Sequence, residues 1–130
     1  MKLKLFVLLV ASDQILKLSA IKFFHPLLNS GVAFGIVGNI PILAIIIVFL
    51  ILFLSVSKGK LGFGEMLLLA GGAGNILDRL MYGKIVDWIK FGSLWFNLAD
   101  VYIVGGIALI IRDIIFIKAF VLGGYIGVLS

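Results

Sequence analysis

The sequence predicts an all-α membrane protein, a bundle of four transmembrane helices, and three observations carry that expectation. Hydrophobic residues make up 63% of the 130-residue chain and charged residues only 13%, with a mean hydropathy of +1.30. A soluble domain carries about 25% charged residues, so too few polar groups are present to cover a surface facing water. Apolar stretches recur at about the 20 residues a helix needs to cross about 30 Å of hydrocarbon. Lys and Arg lie at the ends of those stretches, so the formal charge of +5 reads as topology control and not as a nucleic-acid footprint. Cysteine is absent, which excludes disulfides, thiolate catalysis and Cys-based metal sites.

The four spans fall at about 3–23, 36–57, 61–82 and 97–117 within a single domain, 1–130. The first follows Lys2 and Lys4, and Ser19 and Ala20 give it some likeness to a signal-peptide cleavage site. Asp13 and Lys17 interrupt the apolar stretch that a cleaved leader needs, so a retained span is the better reading. These two residues are four apart on one helix face, where a carboxylate N-terminal to an ammonium pairs favourably, and they are expected to be structural. The second span has no acid or base between His25 and Lys58 and carries Pro41 near its start, where a first-turn proline is tolerated. Lys58, Gly59 and Lys60 form a basic turn that makes spans two and three antiparallel neighbours. The third contains Glu65 and the small residues Gly71, Gly72 and Gly74, which let a neighbouring helix or a substrate approach closely. The fourth has Arg112 and Asp113 near its far end.

Four spans place both termini and the basic turn on one side of the membrane. Lys2, Lys4, Lys58, Lys60 and Lys118 belong there, against Lys22, Lys84 and Lys90 opposite, a bias that favours cytoplasmic termini. The exterior segment between spans three and four carries Tyr82, Trp88, Phe91, Trp95 and Phe96, ring types that settle at a membrane surface. On that same face gather Asn29, Asn75, Asp78, Arg79, Asp87, Asn97 and Asp100. Asn75 and Asp78 are three apart on a helix, as are Asn97 and Asp100, so the two pairs can point at each other. Helix capping accounts for Asn97, but carboxylates set among Ile, Leu, Val and aromatic residues are expensive. A functional polar site is the better account.

The sequence has one His, no Cys, and serines without a nucleophile-elbow context. Ser-His-Asp and zinc-His chemistry therefore lack their parts. His25, before Pro26 at a span end, reads as an interfacial residue. Paired carboxylates remain. Two aspartates a few ångströms apart cannot both ionise, so one keeps a proton and donates to a carbonyl while the other activates water. This chemistry needs no metal and no cofactor. The residues alone do not choose the pair among Asp78, Asp87 and Asp100.

Five blocks in order then carry a resemblance. Asp13, Gln14 and Lys17 match D-Q-x-x-K; Asn29, Gly31, Ala33 and Phe34 match N-x-G-x-A-F; Gly74, Asn75, Asp78 and Arg79 match G-N-x-x-D-R. Val86 and Asp87 match a V-V-D block, and Phe96, Asn97, Ala99 and Asp100 match F-N-x-A-D. The chain resembles the bacterial lipoprotein signal peptidases, signal peptidase II. That resemblance implies an aspartic peptidase that removes signal peptides from prolipoproteins, cutting just before a diacylglyceryl-modified cysteine. By the same resemblance Asp87 and Asp100 would be catalytic, with Asn29, Asn75, Asp78, Arg79 and Asn97 supporting them and Asp13 and Lys17 structural. The implied protein is multi-pass in the bacterial inner membrane, with cytoplasmic termini and its site near the exterior face. Its expected partners are lipid-modified precursors, membrane lipids and globomycin-type inhibitors, without cofactor, metal or nucleic acid, and a monomer is expected. The short interval between Asp13 and Asn29 implies a reduced exterior β-like cradle, and the loop between Asp87 and Asp100 should be compact. Ser30 and Val32 are mild changes from the family pattern, and the apolar tail 119–129 should extend the fourth helix or lie at the interface. The alternative is a small four-span proton-coupled transporter built on Glu65 or Asp78, although acids near span ends beside Asn fit it poorly. A catalytically dead adaptor is a further rival, and the retained Asp87 and Asp100 argue against it.

Overall fold

A computed structural model describes residues 2–30, 50 and 59–129. The expected second span apart from Leu50, the Gly31, Val32, Ala33 and Phe34 portion of the second block, and Lys58 of the expected basic turn lie outside the described residues. The elements are α1 (Lys2–Phe23), β1 (Leu27–Asn29), α2 (Phe63–Tyr82), β2 (Ile85–Asp87), β3 (Ile89–Phe91), β4 (Leu94–Phe96) and α3 (Leu98–Leu129). The first, third and fourth expected spans thus coincide in place with helices.

Helix directions follow from what meets at each end. Lys2 Nζ donates to the Leu61 carbonyl at the start of α2, while β1, just after α1, pairs antiparallel with β2, just after α2. Helices α1 and α2 therefore run parallel. Helix α3 runs back along α2 with a seam of small residues between them. A Cβ on Gly106 would lie 2.6 Å from the Gly64 carbonyl oxygen and 2.8 Å from the Leu68 nitrogen, so only hydrogen fits.

At the end where β1 meets β2, the turns obey local rules. Gly83 ends α2 in the left-handed region at φ 68°, its N–H bonded to the Arg79 carbonyl at 3.0 Å, the geometry glycine adopts without cost. The cradle over this end consists of two ribbons with three-residue strands. Ribbon β1–β2 sets Leu27 opposite Asp87 and Asn29 opposite Ile85. Hairpin β3–β4 turns through Gly92 and Ser93, with Gly92 at φ 60°, as a two-residue hairpin loop requires. These short ribbons occupy the place expected for the β-like cradle.

Burial is inverted relative to a soluble protein. Asp13, Lys17, Asn75, Asp78, Asp87 and Asn97 are buried, whereas Leu8, Phe24, Phe116 and Phe120 are among many large apolar side chains left exposed. An apolar exterior around a polar interior is stable only if the surrounding medium is itself apolar. Among the described residues no helix is long and apolar enough to cross a membrane. That departs from the expectation of clean spans at 3–23, 61–82 and 97–117. The ionisable residues inside each helix are the cause: Lys2, Lys4, Asp13, Lys17 and Lys22 in α1, Glu65, Asp78 and Arg79 in α2, Asp100, Arg112, Asp113 and Lys118 in α3. Helix α3 also continues beyond 117 to Leu129 without a break, so the apolar tail extends the fourth helix.

Candidate active site

The polar interior has two connected layers. In the first, the Lys17 ammonium has three N–H donors and three acceptors at hand: Asp13 Oδ2 and Asp78 Oδ2, both at 2.8 Å, and Asn75 Oδ1 at 3.1 Å. Lys17 and the two carboxylates are almost completely buried, which is tolerable because each carboxylate is further satisfied. Asp13 accepts the Ala99 N–H at 2.9 Å, tying α1 to the start of α3, and Asp78 accepts the Val86 N–H at 3.0 Å, tying α2 to β2. Gln14 Nε2 lies 3.0 Å from Asp78 Oδ1, 3.1 Å from the Gly74 carbonyl and 3.2 Å from Asp13 Oδ2. Gly74 must lack a side chain because a Cβ there would sit 2.5 Å from Asp13 Oδ2.

The second layer holds the proposed catalytic pair. Asn97 precedes α3 and caps it reciprocally with Asp100: the Asp100 N–H donates to Asn97 Oδ1 at 3.0 Å, and the Asn97 N–H to Asp100 Oδ2 at 3.1 Å. This is a capping box with aspartate in the third helical position, and it fixes both side chains. Asn97 Nδ2 then donates to Asp87 Oδ1 at 2.8 Å and to Asn75 Oδ1 at 3.2 Å. Asn75 Nδ2 donates to Asp100 Oδ1 at 2.9 Å, and Asn29 Nδ2 reaches Asp87 Oδ2 at 3.2 Å. Burial pushes the Asp87 carboxyl up to about 6, helped by the neighbouring Asp100 charge and opposed by Asn29, Asn97 and the Lys17 charge.

The structure therefore brings together Asn29, Asn75, Asp78, Asp87, Asn97 and Asp100 and joins them to Asp13 and Lys17. Arg79 stands half-buried in the last turn of α2, beside Asp78 in sequence. Glu65 lies apart from the cluster in the first turn of α2, folded back over Gly62. Sequence reasoning left Gln14 out of the site although it stands in the first block between two members of the network. It also passed over the Val86 and Ala99 N–H groups, which side-chain identity does not disclose. Among the described residues no group of His, Cys, Asp and Glu could hold a metal ion.

A helical bundle that hides linked carboxylates and carboxamides beneath a small β cradle defines a class of membrane enzymes. Its fold matches a bacterial membrane enzyme solved by the in meso method, with a TM-score of 0.71 and 25% identity over 88% of this chain and 87% of that one. A second bacterial membrane enzyme solved by the same method gives a TM-score of 0.67. The model of the family described as signal peptidase (SPase) II matches residues 5–116, and the chain belongs to that family. A lipoprotein signal peptidase of Fusobacterium nucleatum is 39% identical over 68% of this chain. One from Thermodesulfovibrio yellowstonii is 32% identical over 80% of it and is matched over 87% of its own length. The match spans 61% of the Fusobacterium protein's length. Family and neighbours make this a membrane protein, and they lend no support to the transporter alternative centred on Glu65 or Asp78.

Proposed function

We propose that the protein is an aspartic endopeptidase that removes signal peptides from diacylglyceryl-modified prolipoproteins, cutting just before the lipidated cysteine. The observation that carries this reading is that two linked asparagines join Asp87 to Asp100: Asn97 donates to Asp87 through its side chain and to Asp100 through its backbone N–H, while Asn75, which accepts from Asn97 Nδ2, donates to Asp100. Such an arrangement couples two carboxylates through oriented carboxamides, the pairing that activation of a water between them requires. Asp100, fixed by the α3 cap, takes the part of the base that draws a proton from water. Asp87, held near 6, takes the part of the acid that donates to the scissile carbonyl as the tetrahedral oxyanion forms. Asn29, Asn75 and Asn97 orient the pair; Asp78 and Arg79 support it at the end of α2, and Asp13 and Lys17 hold the helices together.

The proposed setting is the bacterial inner membrane. The three described helices and the segment 36–57 would form four spans, with cytoplasmic termini and the β cradle on the exterior surface. Asp13, Lys17 and Asp78 do not oppose this placement, because they are paired with one another and hydrogen-bonded within the protein. Lipid-modified precursors and bilayer lipids are the partners, globomycin-type compounds the inhibitors, and a monomer the working unit. The test uses the purified protein in detergent with a diacylglyceryl-modified precursor. Cleavage should occur, be blocked by a globomycin-type inhibitor, and fall at least about a thousandfold in Asp87→Asn and in Asp100→Asn. Wild-type rates in either variant would overturn the assignment.

A further inference from the structure

We infer that Lys17 is a positioning residue for the catalytic pair, acting through the carboxamide of Asn75. The inference rests on the peptidase reading above and adds a function to a residue so far treated as structural. A carboxamide can turn over and exchange its oxygen for its nitrogen, which would swap an acceptor for donors. Asn75 is not free to do so. Its Oδ1 receives Lys17 Nζ at 3.1 Å and Asn97 Nδ2 at 3.2 Å. An ammonium only donates, so the side of Asn75 facing Lys17 must be oxygen, and Nδ2 must face Asp100, where it lies 2.9 Å from Oδ1. Asn97 is locked in turn. Its Oδ1 is occupied by the Asp100 N–H, so both Nδ2 hydrogens point away, one to Asn75 and one to Asp87 Oδ1 at 2.8 Å.

The result is a directed chain. Lys17 sets Asn75, Asn75 sets Asp100 and shares its oxygen with Asn97, and Asn97 sets Asp87. Lys17 is 1% exposed and touches neither aspartate of the pair, so its influence passes through these amides and through its charge. The charges that act on Asp87 are Asp100 from α3 and Lys17 from α1, Asp13 and Asp78 being paired with Lys17, and Lys17 is the cation whose charge favours the ionised form of Asp87. A pre-oriented first layer is what lets two carboxylates meet a water at reacting distance, and groups behind it typically contribute about ten- to a hundredfold.

The closing experiment separates positioning from folding. Lys17→Met removes the donor and leaves Asp13 and Asp78 unpaired, so it is made also as the double variant Asp13→Asn/Lys17→Met, whose cluster has the wild-type net charge. Asp13→Asn alone keeps the Lys17 contact to Asn75. With folded fraction measured by thermal melting, the double variant should lose at least about tenfold in kcat with KM within about twofold of wild type. The limb of its pH–rate profile that reports Asp87 should move to higher pH, because a cation favouring the carboxylate is gone. Asp13→Asn, corrected for folded fraction, should keep kcat within about threefold. A double variant with wild-type kcat and an unmoved limb, or equal losses of kcat in Asp13→Asn and the double variant, would overturn the inference. Absence of cleavage by the wild-type protein would instead overturn the peptidase reading itself.

Discussion

Asp87 is 2% exposed and its carboxyl stands at about 6 against an ordinary 3.8, so the folded protein keeps a proton there that the unfolded chain gives up. The sign follows from linkage: stability from this group is fully present below the unfolded value and is lost as pH rises through the folded one. The window is therefore about pH 4 to 6, and a shift of this size corresponds to at most about 3 kcal/mol. Asp87→Asn, neutral throughout, should melt higher than wild type at pH 8, by the equivalent of about 1–3 kcal/mol, and the two should converge towards pH 4. If the variant kept the wild-type dependence of melting temperature on pH, the titrating group would lie elsewhere. The next residue makes a neutral counterpart. Trp88 Nε1 is buried with no hydrogen-bond partner among the described residues, and an unmet donor costs about 1–3 kcal/mol. Trp88→Phe keeps an aromatic ring and removes the donor, so thermal unfolding in detergent should show a gain of about 1 kcal/mol, whereas a loss would mean that indole packing outweighs the unmet N–H.

At the scale of elements, the α2–α3 seam and the α3 cap decide whether the two halves of the site meet. Gly106→Ala would drive a Cβ into backbone atoms of Gly64 and Leu68, which cannot move without separating the helices. Overpacking of this kind costs about 1–3 kcal/mol, so a clear fall in melting temperature is expected, with kcat falling as Asn75 is carried away from Asp100. An unchanged melting temperature would show that the seam is looser than the backbone contact implies. The cap was legible in the sequence, because an Asn followed three residues later by an acid ahead of an apolar run is a local signal that no distant contact can erase. The facing of Asn75 towards Asn97 and Asp100 was legible too, from helical spacing on two neighbouring helices, whereas Asp78, expected to face the same pair, bonds Lys17, Gln14 and the Val86 N–H instead. The capture of Asp78 by the Val86 N–H and of Asp13 by the Ala99 N–H was not, since every residue has that donor and only tertiary placement selects one. Lys17 is the intermediate case. Its pairing with Asp13 follows from i,i+4 spacing, but its contacts with Asp78 and Asn75 depend on how α1 docks against α2.

For the molecule as a whole, composition disclosed the apolar medium before any fold was visible, and the observed inversion of burial has the same origin. The length of α3 was less legible: Arg112 and Asp113 looked like a span end, yet Arg112 bonds its own neighbour at 2.8 and 2.9 Å, and the helix continues. Orientation across the membrane is the remaining global property, and the parallel run of α1 and α2 constrains it. If the described helices span, the β1–β2 end and the Lys2–Leu61 end must face opposite compartments, since α1 and α2 both run from the latter to the former. Lys84 lies between α2 and β2 at the first end, while Lys118 lies in α3 beyond the Gly64–Gly106 contact, towards the second. The lysine bias assigns the second end to the cytoplasm. The chain contains no cysteine, so Lys84→Cys and Lys118→Cys each introduce a single thiol at an exposed position. A membrane-impermeant maleimide applied to intact spheroplasts should label Lys84→Cys and leave Lys118→Cys unlabelled until the membrane is permeabilised. Labelling of both thiols from outside would refute the spanning arrangement, and the reversed pattern would place the β cradle and the carboxylate pair at the cytoplasmic face.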